Sequence, residues 1–233
     1  MTENRKKVFT KNAANELKTP LTGIISNADM IVNYVENIED AKILAKNIQN
    51  DAERLATMTK NLFSLARLQG SEYRENMELQ PVDLTKIIRE AIALCRISLT
   101  ENQQELRFNY DDDCLIDSDP ELLRQAFVNL IDNAARYSPR GGKIVVSMFC
   151  EIDCVRISVA DNGSGISECD VDRIFDEFYR ADKSLAQAIA GSGLGLAITK
   201  QIIEVLNGQI KVESTVGTGT EFIIKLSRRR NVS

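Results

Sequence analysis

The chain has 233 residues, 43% of them hydrophobic and 27% charged, with a net charge of −5. That composition fits one or two ordinary globular domains and lacks the basic face of a nucleic-acid binder. The only one-sided run, Arg228-Arg229-Arg230, reads as a solvated tail, and no apolar run approaches the roughly 18 residues a membrane span needs.

No signal-peptide pattern opens the sequence, so a cytoplasmic chain is expected, standing alone or as the cytoplasmic part of a membrane sensor. The five cysteines lack CxxC spacing and read as reduced thiols. Cys150 and Cys154 flank a short turn and could face each other across strands, although small core or edge positions are the plainer reading. The chain has no histidine.

From residue 6 to residue 69 apolar side chains recur every three or four positions, which predicts helix. Phe9, Ala13, Leu17, Leu21, Ile24, Ile25, Ala28, Ile31, Val32 and Val35 make one stripe. Ala41, Leu44, Ile48, Ala52, Leu55, Met58, Leu62 and Leu65 make another. The polar stretch 36–40 suits a turn between antiparallel helices. Two helices with one stripe each cannot bury both stripes alone. A second copy would complete a four-helix bundle, so a homodimer is expected. The expected boundaries are 1–70 for this hairpin, 71–76 for a polar linker and 77–233 for a second domain.

In the second domain helices are expected at 84–102, 120–137 and 194–206, and strands at 105–110, 143–151, 154–160, 209–214 and 220–226. Helices on one side of a mostly antiparallel sheet make an α/β sandwich, so the fold class is α+β.

Three glycine-rich stretches punctuate this domain: Asp161-Asn-Gly163-Ser-Gly165 after a strand, Gly191-Ser-Gly193-Leu194-Gly195-Leu196 opening a helix, and Gly217-Thr-Gly219-Thr220 before the last strand. A glycine-rich turn entering a helix offers free N–H groups and a positive dipole end to phosphate. Each stretch alone is more often a plain turn, and none is a P-loop. Asn129, Asn133, Arg136 and Tyr137 share one face of a predicted helix. That face could be merely polar, but two carboxamides and a guanidinium also suit a magnesium triphosphate.

Taken in order, NLIDNAARYS, DNGSGI, IFDEFYR, GSGLGLAI and GTGTEF resemble the nucleotide-site boxes of bacterial sensor histidine kinases, a branch of the ATPases shared with gyrase and Hsp90. NELKTPLTGI resembles their phosphoacceptor box. The resemblance covers residues 6–226, and it is the order and spacing of the boxes that make it specific. It implies a dimerisation and phosphoacceptor hairpin followed by a catalytic domain that binds ATP and Mg²⁺, with a response-regulator receiver domain as partner. By the resemblance, Asp161 accepts a hydrogen bond from the adenine amino group, and Gly163, Gly165 and Ile166 pass under the base. Thr220 assists at the adenine. Asn129 and Asn133 hold Mg²⁺, Arg136 contacts phosphate and Tyr137 packs on the nucleotide. Gly191, Gly193, Leu194, Gly195 and Leu196 close on the phosphates. Residues 175–190 form a lid, with Phe175 and Phe178 anchoring it in apolar surface.

Where the family carries its phosphorylated histidine, this sequence has Asn15. A neutral imidazole has a ring-nitrogen lone pair free to attack the γ-phosphorus. An amide nitrogen has delocalised its pair into the carbonyl, so Asn15 can copy the shape and hydrogen bonding of one imidazole edge but not its nucleophilicity. Autophosphorylation on histidine is therefore expected to be absent. Glu16, the family's neighbouring base, has nothing to activate, and Pro20 should loosen the helix nearby.

Glu16 and Thr19 preserve the ExxT pattern with which the family dephosphorylates its regulator, so that activity is expected to survive. Complete nucleotide boxes favour a His-to-Asn replacement in a working kinase over a natural degenerate one. A nucleotide-sensing scaffold without catalysis, and a heterodimer partner that phosphorylates a histidine on another chain, stay open beside the kinase core.

Overall fold

The computed structural model describes residues 3–70, 73, 77–111, 114–181 and 192–228. The expected linker at 71–76, apart from Tyr73, lies outside the described residues, as do Gly191, lid residues 182–190, and Arg229 and Arg230. The chain separates into two compact units, Met1–Ser64 and Leu65–Ser233.

The first unit is built from α1 (Glu3–Asn33) and α2 (Ile38–Leu68), the second helix running into the other unit by its last turn. α1 continues through Pro20, which lacks the N–H that would bond the Glu16 carbonyl. The turn falls earlier than the polar run at 36–40 implies, because Asn37 starts α2: its Oδ1 accepts the Asp40 N–H at 2.9 Å and its Nδ2 donates to the Asp40 carboxylate at 2.6 Å. Gly23 faces the Asp51 side chain, whose carboxylate lies where a Cβ would be. Much of the predicted stripe remains uncovered within one hairpin: Ile25 is 61% exposed and Val32 79%.

The second unit contains β1 (Gln80–Asp83), α3 (Leu84–Glu101), β2 (Glu105–Tyr110), β3 (Leu115–Ser118), α4 (Pro120–Tyr137), β4 (Lys143–Cys150), β5 (Cys154–Asp161), α5 (Glu168–Val171), α6 (Gly195–Val205), β6 (Gln209–Thr215) and β7 (Gly219–Ser227). The main sheet has the order β2-β4-β5-β7-β6, antiparallel except for the parallel β2–β4 pair. β1 and β3 form a separate antiparallel ribbon that periodicity does not predict, because each strand has four residues and β1 contains Pro81. The one-turn α5 is likewise too short for a periodic signal.

Two of the three long helices of this unit start at a capping aspartate. Asp83 caps α3 by accepting the Lys86 N–H. Asp119 caps α4, its Oδ1 taking the N–H groups of Glu121 and Leu122 at 2.8 and 3.1 Å, with Pro120 in the first turn. Register then stacks the sheet's inner face in rows. Val146, Val159, Phe222 and Val212 are cross-strand neighbours, and so are Met148, Ile157, Ile224 and Ile210. Ala126, Phe127, Leu130, Ile131 and Ala134 of α4 are fully buried with them. Cys150 pairs with Val155 and so faces this core, whereas Cys154 points to the opposite side of the sheet, where its thiol meets Glu151 at 3.1 Å. The two cysteines therefore do not face each other, which settles in favour of the plainer reading.

Candidate nucleotide and phosphoacceptor sites

The next row of the inner face is polar. Asp161 at the end of β5 pairs with Thr220 on β7, and Thr220 pairs with Ser214 on β6. Three hydrogen-bonding side chains thus stand side by side at the rim of an apolar core. The Asp161 carboxylate accepts the Gly163 N–H at 2.8 Å and the backbone N–H of Thr220. Burial raises its pKa above the ordinary carboxylate value, and those two N–H groups partly offset the rise.

The turn after Asp161 is closed by its neighbours. Ser164 donates its N–H to the Tyr137 carbonyl at 3.2 Å, and the Ile166 N–H reaches Ser214 Oγ at 2.8 Å. Gly165 has φ +69°, and a Cβ there would overlap the Thr215 carbonyl, so only glycine fits. Ser214 was not singled out by sequence reasoning. A serine in an exposed-alternating strand carries no signal until the strand register is known.

α4 joins this rim to a second cluster. Two turns back from Tyr137, Asn129 donates through Nδ2 to the Gly195 carbonyl at 3.1 Å and to Thr199 Oγ1 at 3.4 Å. The amide nitrogen is thereby occupied and Oδ1 remains to ligate a hard cation. Leu194 precedes α6 with no side-chain cap, so among the described residues no capping side chain takes the first N–H groups of that helix. Gly195 has ample room for a Cβ, its closest neighbour being Asn129 Cγ at 3.8 Å. Among the described residues nothing in the packing requires glycine there. From residue 129 to 137 the helix rises about 12 Å, which separates the polar rim at one end from the start of α6 at the other.

The remaining expected residues fall as follows. Asn133 is half-buried, on the same α4 face as Asn129. Arg136 is exposed and paired through Nε with Asp132 one turn back at 2.7 Å. Tyr137 is 37% exposed. Leu194 is fully buried and Leu196 half-exposed. Gly193, with φ +67°, abuts the Phe178 backbone, and the Phe178 N–H donates to the Gly193 carbonyl at 3.0 Å. Phe175 sets its ring edge-on against buried Phe222 at 6.2 Å, in line with an anchoring role.

In the first unit Asn15 and Thr19 are exposed on α1, and Thr19 Oγ1 donates to the Asn15 carbonyl at 3.4 Å. Glu16 is half-buried and lies 3.9 Å from the Arg54 guanidinium, a weak pair at that distance and exposure.

Residues 5–71 match the His Kinase A (phospho-acceptor) domain, and residues 118–230 match the histidine kinase-, DNA gyrase B-, and HSP90-like ATPase domain. The sensor-like histidine kinase SenX3 of Mycobacterium tuberculosis is 35% identical over 224 residues, which are 96% of this chain and 54% of SenX3. The sensor histidine kinase WalK of Bacillus subtilis is 32% identical over 230 residues, 96% of this chain and 37% of WalK. The chain thus spans about half or less of the length of these relatives. In fold it is similar to the histidine kinase ThkA, solved in complex with the response regulator TrrA, with a TM-score of 0.75, 24% identity, and coverage of 97% of this chain and 64% of that one. With both domain types in order and relatives that match them along nearly its whole length, this chain belongs to the sensor histidine kinases of bacterial two-component systems.

Proposed function

We propose that this chain is a kinase core that binds Mg-ATP and a response-regulator receiver domain but does not phosphorylate itself. The observation that carries the reading is Asn15: an exposed amide on α1, in a chain that has no histidine at all, although its sequence carries the nucleotide-site motifs in order. In this reading Asp161 and Thr220 hold the adenine, the α6 N-terminus and Gly195 receive the phosphates, and Asn129 Oδ1, with Asn133, ligates Mg²⁺. Bound Mg-ATP supplies a γ-phosphoryl group polarised for attack by a nucleophile. The amide of Asn15 offers no electron pair for that attack.

Regulator dephosphorylation does not need a phosphorylated histidine. The Thr19 hydroxyl, one turn from Asn15 and exposed, can orient a water toward an aspartyl phosphate on a receiver domain. The complex in which ThkA was solved supports a receiver domain as the partner. The hairpin and its uncovered stripe support a homodimer.

The test is repair of the acceptor. Asn15→His incubated with γ-labelled ATP should gain acid-labile, base-stable phosphate, while the unaltered chain gains none. Label on the unaltered chain, or none on the repaired one, defeats the reading. In parallel, the unaltered chain should release phosphate from a phosphorylated receiver domain, and Thr19→Ala should stop the release.

A further inference from the structure

All five cysteines are free thiols, but their surroundings differ. Cys95 reaches the Val128 carbonyl at 3.8 Å, Cys154 the Glu151 carboxylate at 3.1 Å and Cys169 the Ser167 hydroxyl at 2.9 Å. Each of these three has an oxygen for a neighbour. Cys114 has a sulfur: its thiol is hydrogen-bonded with that of Cys150.

Strand pairing brings the two together. β2 and β4 run parallel, side by side, and Tyr110 at the end of β2 lies opposite Met148. Cys150 is two residues beyond Met148 and, like it, faces the buried side of the sheet. Cys114 immediately precedes β3, and its carbonyl accepts the Leu84 N–H at 2.9 Å at the start of α3. The thiols therefore meet where the β1–β3 ribbon, α3 and the end of β4 converge.

We propose that Cys114 and Cys150 form a reversible disulfide when the protein meets a hydroperoxide, and that the bond clasps the ribbon to the end of β4. The two sulfurs differ in access. Cys114 is fully buried, whereas Cys150 is half-buried. Burial first, and then the contact with Cys150, raise the pKa of the Cys114 thiol, which makes it a poor target for a reagent in solution. Cys150 is the sulfur that a peroxide reaches. Its sulfur attacks one peroxide oxygen, the O–O bond breaks, and the departing oxygen leaves as water with the thiol proton. Cys150 is then a sulfenic acid. The Cys114 sulfur attacks it, the S–S bond forms as the S–O bond breaks, and the hydroxyl leaves as a second water with the Cys114 proton. Two thiols are oxidised and one peroxide is reduced to two waters.

The bond closes a loop from Leu115 to Phe149 that contains all of α4. Closing so long a loop restricts the unfolded chain more than the folded one, so the oxidised protein should melt about 5 °C or more above the reduced one. The test treats the unaltered chain with hydrogen peroxide and then alkylates it in denaturant. Two of its five thiols should be lost, and a proteolytic digest should hold one cross-linked peptide pair, Cys114 with Cys150. Dithiothreitol should restore both thiols and the lower melting temperature. Cys114→Ala and Cys150→Ser should each abolish the cross-link and the rise in melting temperature. If the change at buried Cys114 prevents folding, Cys150→Ser alone carries the control. A digest in which Cys114 and Cys150 are both alkylated overturns the proposal, as does a cross-link through Cys154 or Cys169 in place of theirs. So does a bond that forms only after urea has unfolded the chain, or a bonded form that melts no higher than the reduced one.

Discussion

At Asp161, burial and binding pull in opposite directions. Burial lifts the pKa of its carboxyl, and the N–H groups of Gly163 and Thr220 only partly restore it. An acid whose pKa is higher folded than unfolded binds more protons in the folded state between those two values. The folded state therefore loses stability as pH rises through that window and stays less stable above it. Asp161→Asn removes the buried charge and still offers an oxygen to Gly163. In the absence of nucleotide it should melt at or above the temperature of the unaltered chain at pH 7, and the difference should vanish as pH falls to about 4. Its affinity for ATP should drop by tenfold or more, since a charge-assisted acceptor for the amino group is lost. Thermal melts across pH, with a nucleotide titration at pH 7, check both halves. A marked loss of stability at pH 7 would mean the carboxylate holds the rim together rather than serving a ligand.

At the scale of elements, the glycines divide by what they are for. Gly165 is required by the fold: its backbone is left-handed and the Thr215 carbonyl occupies the space of a Cβ. Gly195 opens α6, and a Cβ there would make only ordinary contact with Asn129. Gly165→Ala should destabilise the chain by about 1–3 kcal/mol. Gly195→Ala should leave the nucleotide-free stability unchanged or raise it by up to about 1 kcal/mol, because alanine favours helix, and yet weaken ATP binding. Denaturant unfolding of both variants, with and without ATP, separates the two roles. The hold of Asn129 on Gly195 and Thr199 belongs to this scale as well: it ties α4 to the start of α6.

For the whole molecule the informative surface is on the first unit. Ile25, Val32, Ile43 and Phe63 are each more than half exposed on a hairpin whose sequence is otherwise patterned for burial. A second hairpin would cover them at roughly 25 cal/mol per Å² of apolar surface. Ile25→Glu should convert a dimer to a monomer in sedimentation velocity, with the nucleotide unit still folded. A dimer that survives this change would place the interface elsewhere.

Much of this was legible before any coordinates. The expected helices at 84–102 and 120–137 match Leu84–Glu101 and Pro120–Tyr137, because capping residues and a period near 3.6 are written in neighbouring positions. The glycine boxes and the missing histidine are equally local facts, and they were enough to identify the family and to single out Asn15. The four-residue strands β1 and β3 were not legible, since two of them make a ribbon only by meeting each other. Nor was the separation of Cys150 from Cys154 by the thickness of the sheet, or the place of Ser214 beside Thr220 and Asp161. A strand's side chains change face with every residue, and one step of register would turn the whole polar row to the other side. Sequence determined which chemical groups this protein owns and which segments carry them; only the tertiary pairing of strands far apart in the chain decided which of those groups share a rim, because register is a property of two strands and is encoded in neither alone.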